Sequence, residues 1–255
     1  MNGIQATIQL YREALRETGA AFAKSAPAML FLVAASVVLG AMSIFLNPLG
    51  FAGGLVLGLA IAAGAGSYLR LLERAVVDKS AVRFGDWNEV LGDYLWEVIS
   101  VMFIFWIAQM VISLLGLGFI GFVALVVAIV LFNPVPELIY QKGSRSLEAL
   151  GSAFEHIQKH WIEWFIPHVI LGVGLAFVWP GTPVSLLLAF GPFFGFLSTA
   201  DPLAHGLMNR TLDATVISQT GIALVIVHGF MLFRGFLFSK LGSTNRRLRA
   251  WQSQF

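Results

Sequence analysis

Two apolar stretches separated by a four-residue turn decide the fold: AMLFLVAASVVLGAMSIFL at residues 28–46 and FAGGLVLGLAIAAGAGSYL at residues 51–69. Neither stretch contains a charged residue, and each approaches the roughly 20 residues that an α-helix needs to cross a bilayer. Their side chains are apolar on all sides rather than at alternate positions, which favours helices over membrane-spanning strands. The pair therefore predicts a helical hairpin in a membrane.

The same pattern recurs along the rest of the chain. Further spans are predicted at residues 98–117, 119–132, 165–178 and 221–238. A shorter apolar run at 184–199 is interrupted by Gly191-Pro192, so it forms either a re-entrant half-helix or a seventh span. We predict an all-α polytopic transmembrane helix bundle of six to seven spans, built as a single domain over residues 1–255.

Composition excludes several other classes of protein. The chain is 58% hydrophobic and only 12% charged, whereas soluble domains are about 45–50% apolar and about 25% charged. A soluble fold of this size could not bury so much apolar surface. The absence of cysteine excludes disulfides and thiolate chemistry, and the net charge of +2 is too small to indicate a nucleic-acid partner.

The positions of Lys and Arg predict the orientation. These residues cluster before the first span and in the two long loops that follow the second and fourth spans, whereas the turns at 47–50, 116–118 and 179–183 carry none. Cationic loops remain in the cytoplasm, which predicts a cytoplasmic N-terminus. The cationic tail also favours the cytoplasm and hence six crossings; seven crossings would place it outside.

Three amphipathic segments, at residues 3–24, 86–97 and 146–164, precede outgoing spans. In the first, Ile4, Ile8, Tyr11 and Leu15 fall on one helical face. Such helices lie along the membrane surface, with Trp and Tyr at headgroup depth and Lys and Arg towards anionic lipid headgroups. The segments are either a true triple repeat, which would make 184–199 a returning span, or simply the amphipathic beginnings of membrane helices.

Four polar residues are candidates for a pocket inside the membrane: Asn133, Glu137, His168 and His228. Asn133 and Glu137 belong to the motif Asn-Pro-Val-Pro-Glu, which either opens a polar pocket at the end of the fourth span or only stops the helix. His168 and His228 lie within predicted spans, where a polar residue is either functional or satisfied by a neighbouring helix.

Two further polar residues lie within spans. Arg234 is the only cation there, and its long side chain is predicted to extend to the membrane interface. Gln109 is predicted to make an interhelical hydrogen bond. No Asp or Glu is predicted at mid-membrane, which argues against a pump driven by protons or sodium.

His156, His160 and Glu163 lie within about 60° of each other on one helical face, at 100° per residue. Two His and a carboxylate could bind zinc, but the HExxH pattern and a second ligand cluster are missing. We therefore interpret them as a solvated helix face and predict no metal, cofactor or catalytic residues. Walker, dinucleotide-binding and nucleophile-elbow motifs are also absent.

Four small residues, Gly54, Gly58, Ala62 and Gly66, recur at every fourth position of the second span. Such a ladder allows the backbone of a neighbouring helix to approach closely, with van der Waals contact as the driving force. The neighbour belongs either to this chain or to another, and in both cases we expect Gly58→Leu to be disruptive.

Part of the chain resembles known families. The stretch from Asn133-Pro134-Val135-Pro136 through Gly143-Ser144 and Glu148-Ala149-Leu150 to His160-Trp161 resembles uncharacterised bacterial families of polytopic membrane proteins. Tyr68-Leu69-Arg70 through Asp86-Trp87 is similar to their earlier linker. The resemblance covers about a third of the chain and implies six or so spans and a bacterial inner-membrane location, but no activity.

The sequence favours a non-enzymatic membrane protein, an accessory or scaffold subunit of a complex with protein partners. The alternative is a transporter or channel for a hydrophobic or amphiphilic solute, and an intramembrane enzyme ranks third. A cavity lined by Asn133, His168 or His228 would favour the transporter, whereas a solidly packed bundle with an apolar outer face would favour the subunit.

Overall fold

A computed structural model describes residues 3–178 and 213–243. Within these ranges all regular elements are helices and there is no strand. The α-helices are α1 Gly3–Phe22, α2 Ala26–Leu46, α3 Gly50–Val76, α4 Asp86–Glu89, α5 Leu95–Leu114, α6 Gly118–Leu131, α7 Val135–Lys142, α8 Ser146–Val178 and α9 Ala214–Ser243. The predicted segment 184–199 lies outside the described residues.

Within the described ranges, four helical stretches are long and apolar enough to cross a membrane: Ile4–Val76, Leu95–Leu114, Gly118–Lys142 and Ile217–Gly242. The first contains α1, α2 and α3, joined by 3-10 turns at Ala23–Ser25 and Asn47–Leu49. These stretches confirm an all-helical membrane protein. The count of six to seven spans stays a prediction, because α8, which contains the predicted span 165–178, is not among the four.

The hairpin of α2 and α3 follows directly from its turn residues. Pro48 lies in the first turn of a short 3-10 helix, where its missing N–H is not needed. Gly50 then adopts a φ of 56° and begins α3, a conformation that glycine reaches without steric cost. The chain therefore reverses within four residues, and α2 and α3 pack against each other.

Helix α9 is the centre of the bundle and contacts α1, α2, α3 and α7. Its residues 230–238 are all buried, as are residues 135–140 of α7. By contrast, α5 buries only Val98 and Val101. The core therefore lies around the second half of α9, while α5 and α6 form a hairpin at the periphery.

The predicted amphipathic helix at 86–97 is two separate helices, α4 and the start of α5. Tertiary contacts with α3 interrupt it, because Ser67 Oγ accepts a hydrogen bond from the Gly92 N–H at 3.3 Å. Tyr94 donates its hydroxyl hydrogen to Glu73 at 2.7 Å and adopts a φ of 56°. The segment 3–24 corresponds to α1, and 146–164 is the first part of α8, which has a kink at His160.

Candidate functional site

A buried ion pair joins α7 and α9. Arg234 Nη2 lies 2.8 Å from Glu137 Oε2, and the two side chains are 2% and 0% exposed. The same nitrogen donates a hydrogen bond to the carbonyl oxygen of Asn133 at 2.8 Å. Asn133 lies in the turn between α6 and α7, so this carbonyl is positioned where the Asn-Pro motif interrupts the helix. One guanidinium thus binds both the turn and the helix that follows it.

Trp164 connects this pair to α8. Its indole Nε1 donates a hydrogen bond to Asn133 Oδ1 at 2.9 Å, and the Arg234 guanidinium carbon lies 5.4 Å from the centre of its ring. Stacking of a guanidinium on Trp is a favourable cation–π contact, strongest where water is excluded. We call Asn133, Glu137, Trp164 and Arg234 the polar clamp, because together they tie α6–α7, α8 and α9 at one point.

His168 lies one helical turn beyond Trp164. Its Nδ1 is 2.8 Å from the Trp164 carbonyl oxygen, which can only accept, so Nδ1 carries the hydrogen. Its Nε2 has no hydrogen-bond partner among the described residues, and its ring packs edge-on against Phe230. His168 therefore borders the polar clamp through Trp164, without a polar side chain as its partner.

The prediction that Arg234 extends to the interface is wrong, because its guanidinium finds a carboxylate inside the bundle. Glu137 is fully buried near the end of a stretch that is apolar enough to span, and the absence of Asp and Glu at mid-membrane stays a prediction. Of the two readings of the Asn-Pro motif, the helix stop is confirmed, because α6 ends at Leu131; Asn133 and Glu137 bond to Arg234 and line neither of the described pockets.

The clamp residues that sequence reasoning missed are Arg234 and Trp164. A signal for Arg234 existed, because a cation within a span needs a partner and Glu137 is the acidic residue at the end of a neighbouring span. Trp164 carried no such signal. Its indole was one of several interfacial aromatics, and only the kinked path of α8 brings it to Asn133.

His228 belongs to a separate cluster at the other side of α9. Its Nε2 is 2.9 Å from Ser25 Oγ and its Nδ1 is 2.9 Å from the Tyr68 hydroxyl, and all three residues are fully buried. Ser25 donates its hydrogen to the Phe22 carbonyl oxygen at 3.2 Å. The neutral imidazole donates from one ring nitrogen and accepts at the other, and so joins the turn before α2 to α3.

The cluster corresponds to the alternative prediction for His228, a histidine satisfied by neighbouring helices. The four residues of the predicted pocket thus separate into Asn133 and Glu137 within the clamp, His168 beside it, and His228 in its own cluster.

The prediction of a solvated face for His156, His160 and Glu163 is wrong. These side chains are only 8%, 9% and 5% exposed. The His156 ring lies 4.5 Å from that of Phe238 and 5.3 Å from that of Trp164, so this part of α8 faces α9. No group of three or more potential ligands is arranged for a metal ion among the described residues.

Burial has an electrostatic consequence at His156. It lowers the pKa of the imidazole to about 3, first by desolvation and then by the neighbouring positive charges of His160, Lys142 and Lys159. The folded protein therefore holds His156 neutral at physiological pH. Its Nε2 has no hydrogen-bond partner in the described part of the chain.

Only one end of the ladder of small residues on α3 packs closely against another described part of the chain. A β-carbon at Gly66 would collide with the carbonyl oxygen of Asp93, whereas β-carbons at Gly54 and Gly58 would meet no atom within 4 Å. Ala62 is buried as well. Close packing within the chain therefore involves Ala62 and Gly66, and the other half of the ladder is open.

A cavity of about 600 Å³ lies between α5 and α6. Its lining is mostly apolar or small, with Gln109 and Ser113 as its polar side chains. The predicted interhelical hydrogen bond of Gln109 is missing: its exposed amide bonds to no described residue. None of Asn133, Glu137, His168 or His228 lines this cavity.

Comparisons with known proteins find no match, whether with family models, curated proteins or solved structures. The resemblance to bacterial polytopic families therefore stays a prediction. The geometry defines a helical bundle with stretches apolar enough to span a membrane, in which the buried pairs Glu137–Arg234 and Tyr68–His228 join helices.

Proposed function

We propose that this chain is a non-enzymatic membrane subunit that binds a protein partner through the α5–α6 hairpin. The observation that carries the proposal is Gln109. An amide that leaves water for an apolar medium without a hydrogen bond costs roughly 4–8 kcal/mol. Gln109 lies five residues before the end of α5 at Leu114, about 7.5 Å along the helix axis, within a helix apolar enough to cross a membrane.

The surroundings of Gln109 fit a helix–helix interface. Trp106, Met110 and Leu114 are 51%, 42% and 77% exposed and lie on the same face of α5. In membranes, polar side chains bond across helices and contribute about 1–2 kcal/mol in peptide models. A partner helix that offers an amide or hydroxyl to Gln109 would satisfy it and cover this face.

The polar clamp also supports the proposal that this chain is a subunit. The Glu137 and Arg234 charges neutralise each other inside the bundle, so neither is available to a passing ion. A subunit requires a fixed frame from which to present its outer face, and the clamp provides one. The chain's role would then be assembly rather than turnover.

A photo-crosslinking amino acid tests the proposal when it replaces Met110 on α5. After irradiation of intact membranes we expect a protein adduct of discrete mass, which Gln109→Leu weakens. The matched control replaces Val38 of α2, which is 56% exposed and should give lipid adducts alone. Lipid adducts at both positions would overturn the proposal.

The cavity between α5 and α6 favours a second candidate, a carrier of a hydrophobic or amphiphilic solute. Its volume of about 600 Å³ lies within the range of roughly 300–1,000 Å³ of small-molecule sites. A crosslinker at Ile112, which lines the cavity, distinguishes the candidates. A single enriched small-molecule adduct there, with no protein adduct at Met110, would favour the carrier.

We further propose that the chain lies in a bacterial inner membrane, with its N-terminus in the cytoplasm and six crossings. The support is the placement of Lys and Arg before α2 and in the loops around α4 and α7. Because the chain has no cysteine, a single cysteine at position 255 can report on the tail. Its labelling by an impermeant reagent from outside the cell would contradict six crossings.

A further inference from the structure

Helix α1 carries an exposed apolar stripe although it packs across α9. Ile4, Ile8 and Leu15 are 75%, 60% and 60% exposed. They lie within about 40° of each other around the helix, at 100° per residue. The opposite side buries Leu10 and Ala14 in the core. The stripe is therefore an outward face of a helix already anchored to the bundle.

The charges of α1 are segregated around the same helix. Glu13 and Glu17 are ion-paired with Lys240 of α9, at 3.3 Å and 2.8 Å. Arg12 and Arg16 are exposed, and no carboxylate lies within 4.0 Å of either in the described part of the chain. At 100° per residue, both arginines fall between the apolar stripe and the two acids. The unpaired cations thus border the stripe.

Neighbouring contacts fix the depth of the stripe in the bundle. Tyr11, on the edge of the stripe, donates its hydroxyl hydrogen to the carbonyl oxygen of Glu163 at 2.8 Å. Two residues earlier in α8, Trp161 is 58% exposed, as is typical of Trp at a membrane–water interface. The acids on the other side of α1 meet Lys240 near the end of α9. Helix α1 therefore lies at headgroup depth, with its stripe facing the hydrocarbon.

We infer that α1 is a binding site for anionic phospholipids of the adjacent leaflet. The stripe enters the acyl region, and Arg12 and Arg16 bind phosphate oxygens, for which the guanidinium fork is suited. A lipid surface offers negative charge in a plane directly beside hydrocarbon, which matches cations placed along the edge of an apolar face. This inference is independent of the protein partner proposed for α5–α6.

The test uses the purified full chain in a zwitterionic detergent. Phosphatidylglycerol is titrated in, and the melting temperature reports binding. Each basic residue near an anionic surface contributes about 1 kcal/mol, so we expect Arg12→Gln/Arg16→Gln to weaken the apparent affinity roughly 30-fold. The control Arg145→Gln/Lys159→Gln removes the same charge from exposed residues paired with carboxylates, and should bind like the wild type.

Three outcomes would overturn the inference. The first is an equal loss in both double variants, and the second is an equal rise in melting temperature with phosphatidylcholine. The third is an equal rise with free inorganic phosphate, which would mean that the arginines bind a soluble anion instead. If the arginine variant does not fold, the wild type alone decides: its preference for phosphatidylglycerol should fall in 1 M salt, where charges are screened within about 3 Å.

Discussion

Helices α5 and α9 have nearly equal hydropathy, but the rest of the chain buries far more of α9 than of α5. Their most apolar windows have mean hydropathies of 2.0 and 1.9, yet 11% of the first and 67% of the second is buried. The difference lies in their polar residues. His228 of α9 bonds to α3 and to the turn before α2, and Arg234 bonds to α7, because a polar group in hydrocarbon is costly unless it has a partner. Polar residues, rather than overall hydropathy, distinguish the central helix from the peripheral one.

The same rule gives meaning to the exception on α5. Gln109 is a polar residue in a span, but the described chain does not supply its partner. If polar residues in membrane helices mark positions that face other protein, the position of Gln109 implies that α5 lies at the periphery of this chain but in the interior of a larger assembly. The comparison between the two helices can be tested by substitutions that act on one helix and leave the other unchanged.

The largest effect is expected at the polar clamp. Arg234→Met leaves the Glu137 carboxylate buried without its cation, and breaking such a pair costs about 3–5 kcal/mol. Replacing both residues, with Glu137→Leu and Arg234→Met, removes both charges and should recover most of that loss. Unfolding in a denaturing-detergent titration measures each variant. A double variant as unstable as the single one would show that the ion pair is not what holds α7 to α9.

A smaller effect is expected from the two ends of the α3 ladder. Gly66→Leu forces a side chain into the backbone of Asp93 and should cost roughly 1–3 kcal/mol or more. Gly58→Leu, which the sequence predicted to be disruptive, is instead the matched control, since open space surrounds Gly58 and a surface change typically lies within about 0.5 kcal/mol. The same titration compares them. A loss at Gly58 that depends on protein concentration would instead reveal a partner chain on the open half.

The sequence was sufficient for the class of structure and for much of its layout. Apolar runs predicted membrane helices at α2, α3, α5, α6 and α9, because hydropathy follows from local composition. The sequence was insufficient where contacts between residues that are far apart in the chain determine the structure. The break at Gly92–Tyr94 depends on Ser67 and Glu73 of α3, and the burial of His156 depends on Phe238 of α9. Periodicity showed that His156, His160 and Glu163 share a face, but not what that face meets.

The smallest effect is expected from protonation of His156, which packs against α9. Its pKa is about 3 in the folded protein against about 6.5 when unfolded. Since the folded pKa is the lower one, the unfolded chain binds the proton first. Stability is complete well above pH 6.5, and about 1.4 kcal/mol of it is lost by pH 5.5 as the unfolded chain takes up the proton.

His156→Phe keeps an aromatic ring against Phe238 and Trp164 but cannot take up a proton. The melting temperature of the wild type should therefore drop between pH 7.5 and pH 5.5 by more than that of the variant. The peripheral hairpin has little to titrate, since Glu97 is the sole ionisable residue in α5 and α6. Amide exchange in α5, corrected for the intrinsic effect of pH, should thus change less than in α8. Equal melting shifts in both proteins would mean that other groups govern the acid response, and that burial against α9 does not set the charge state of His156.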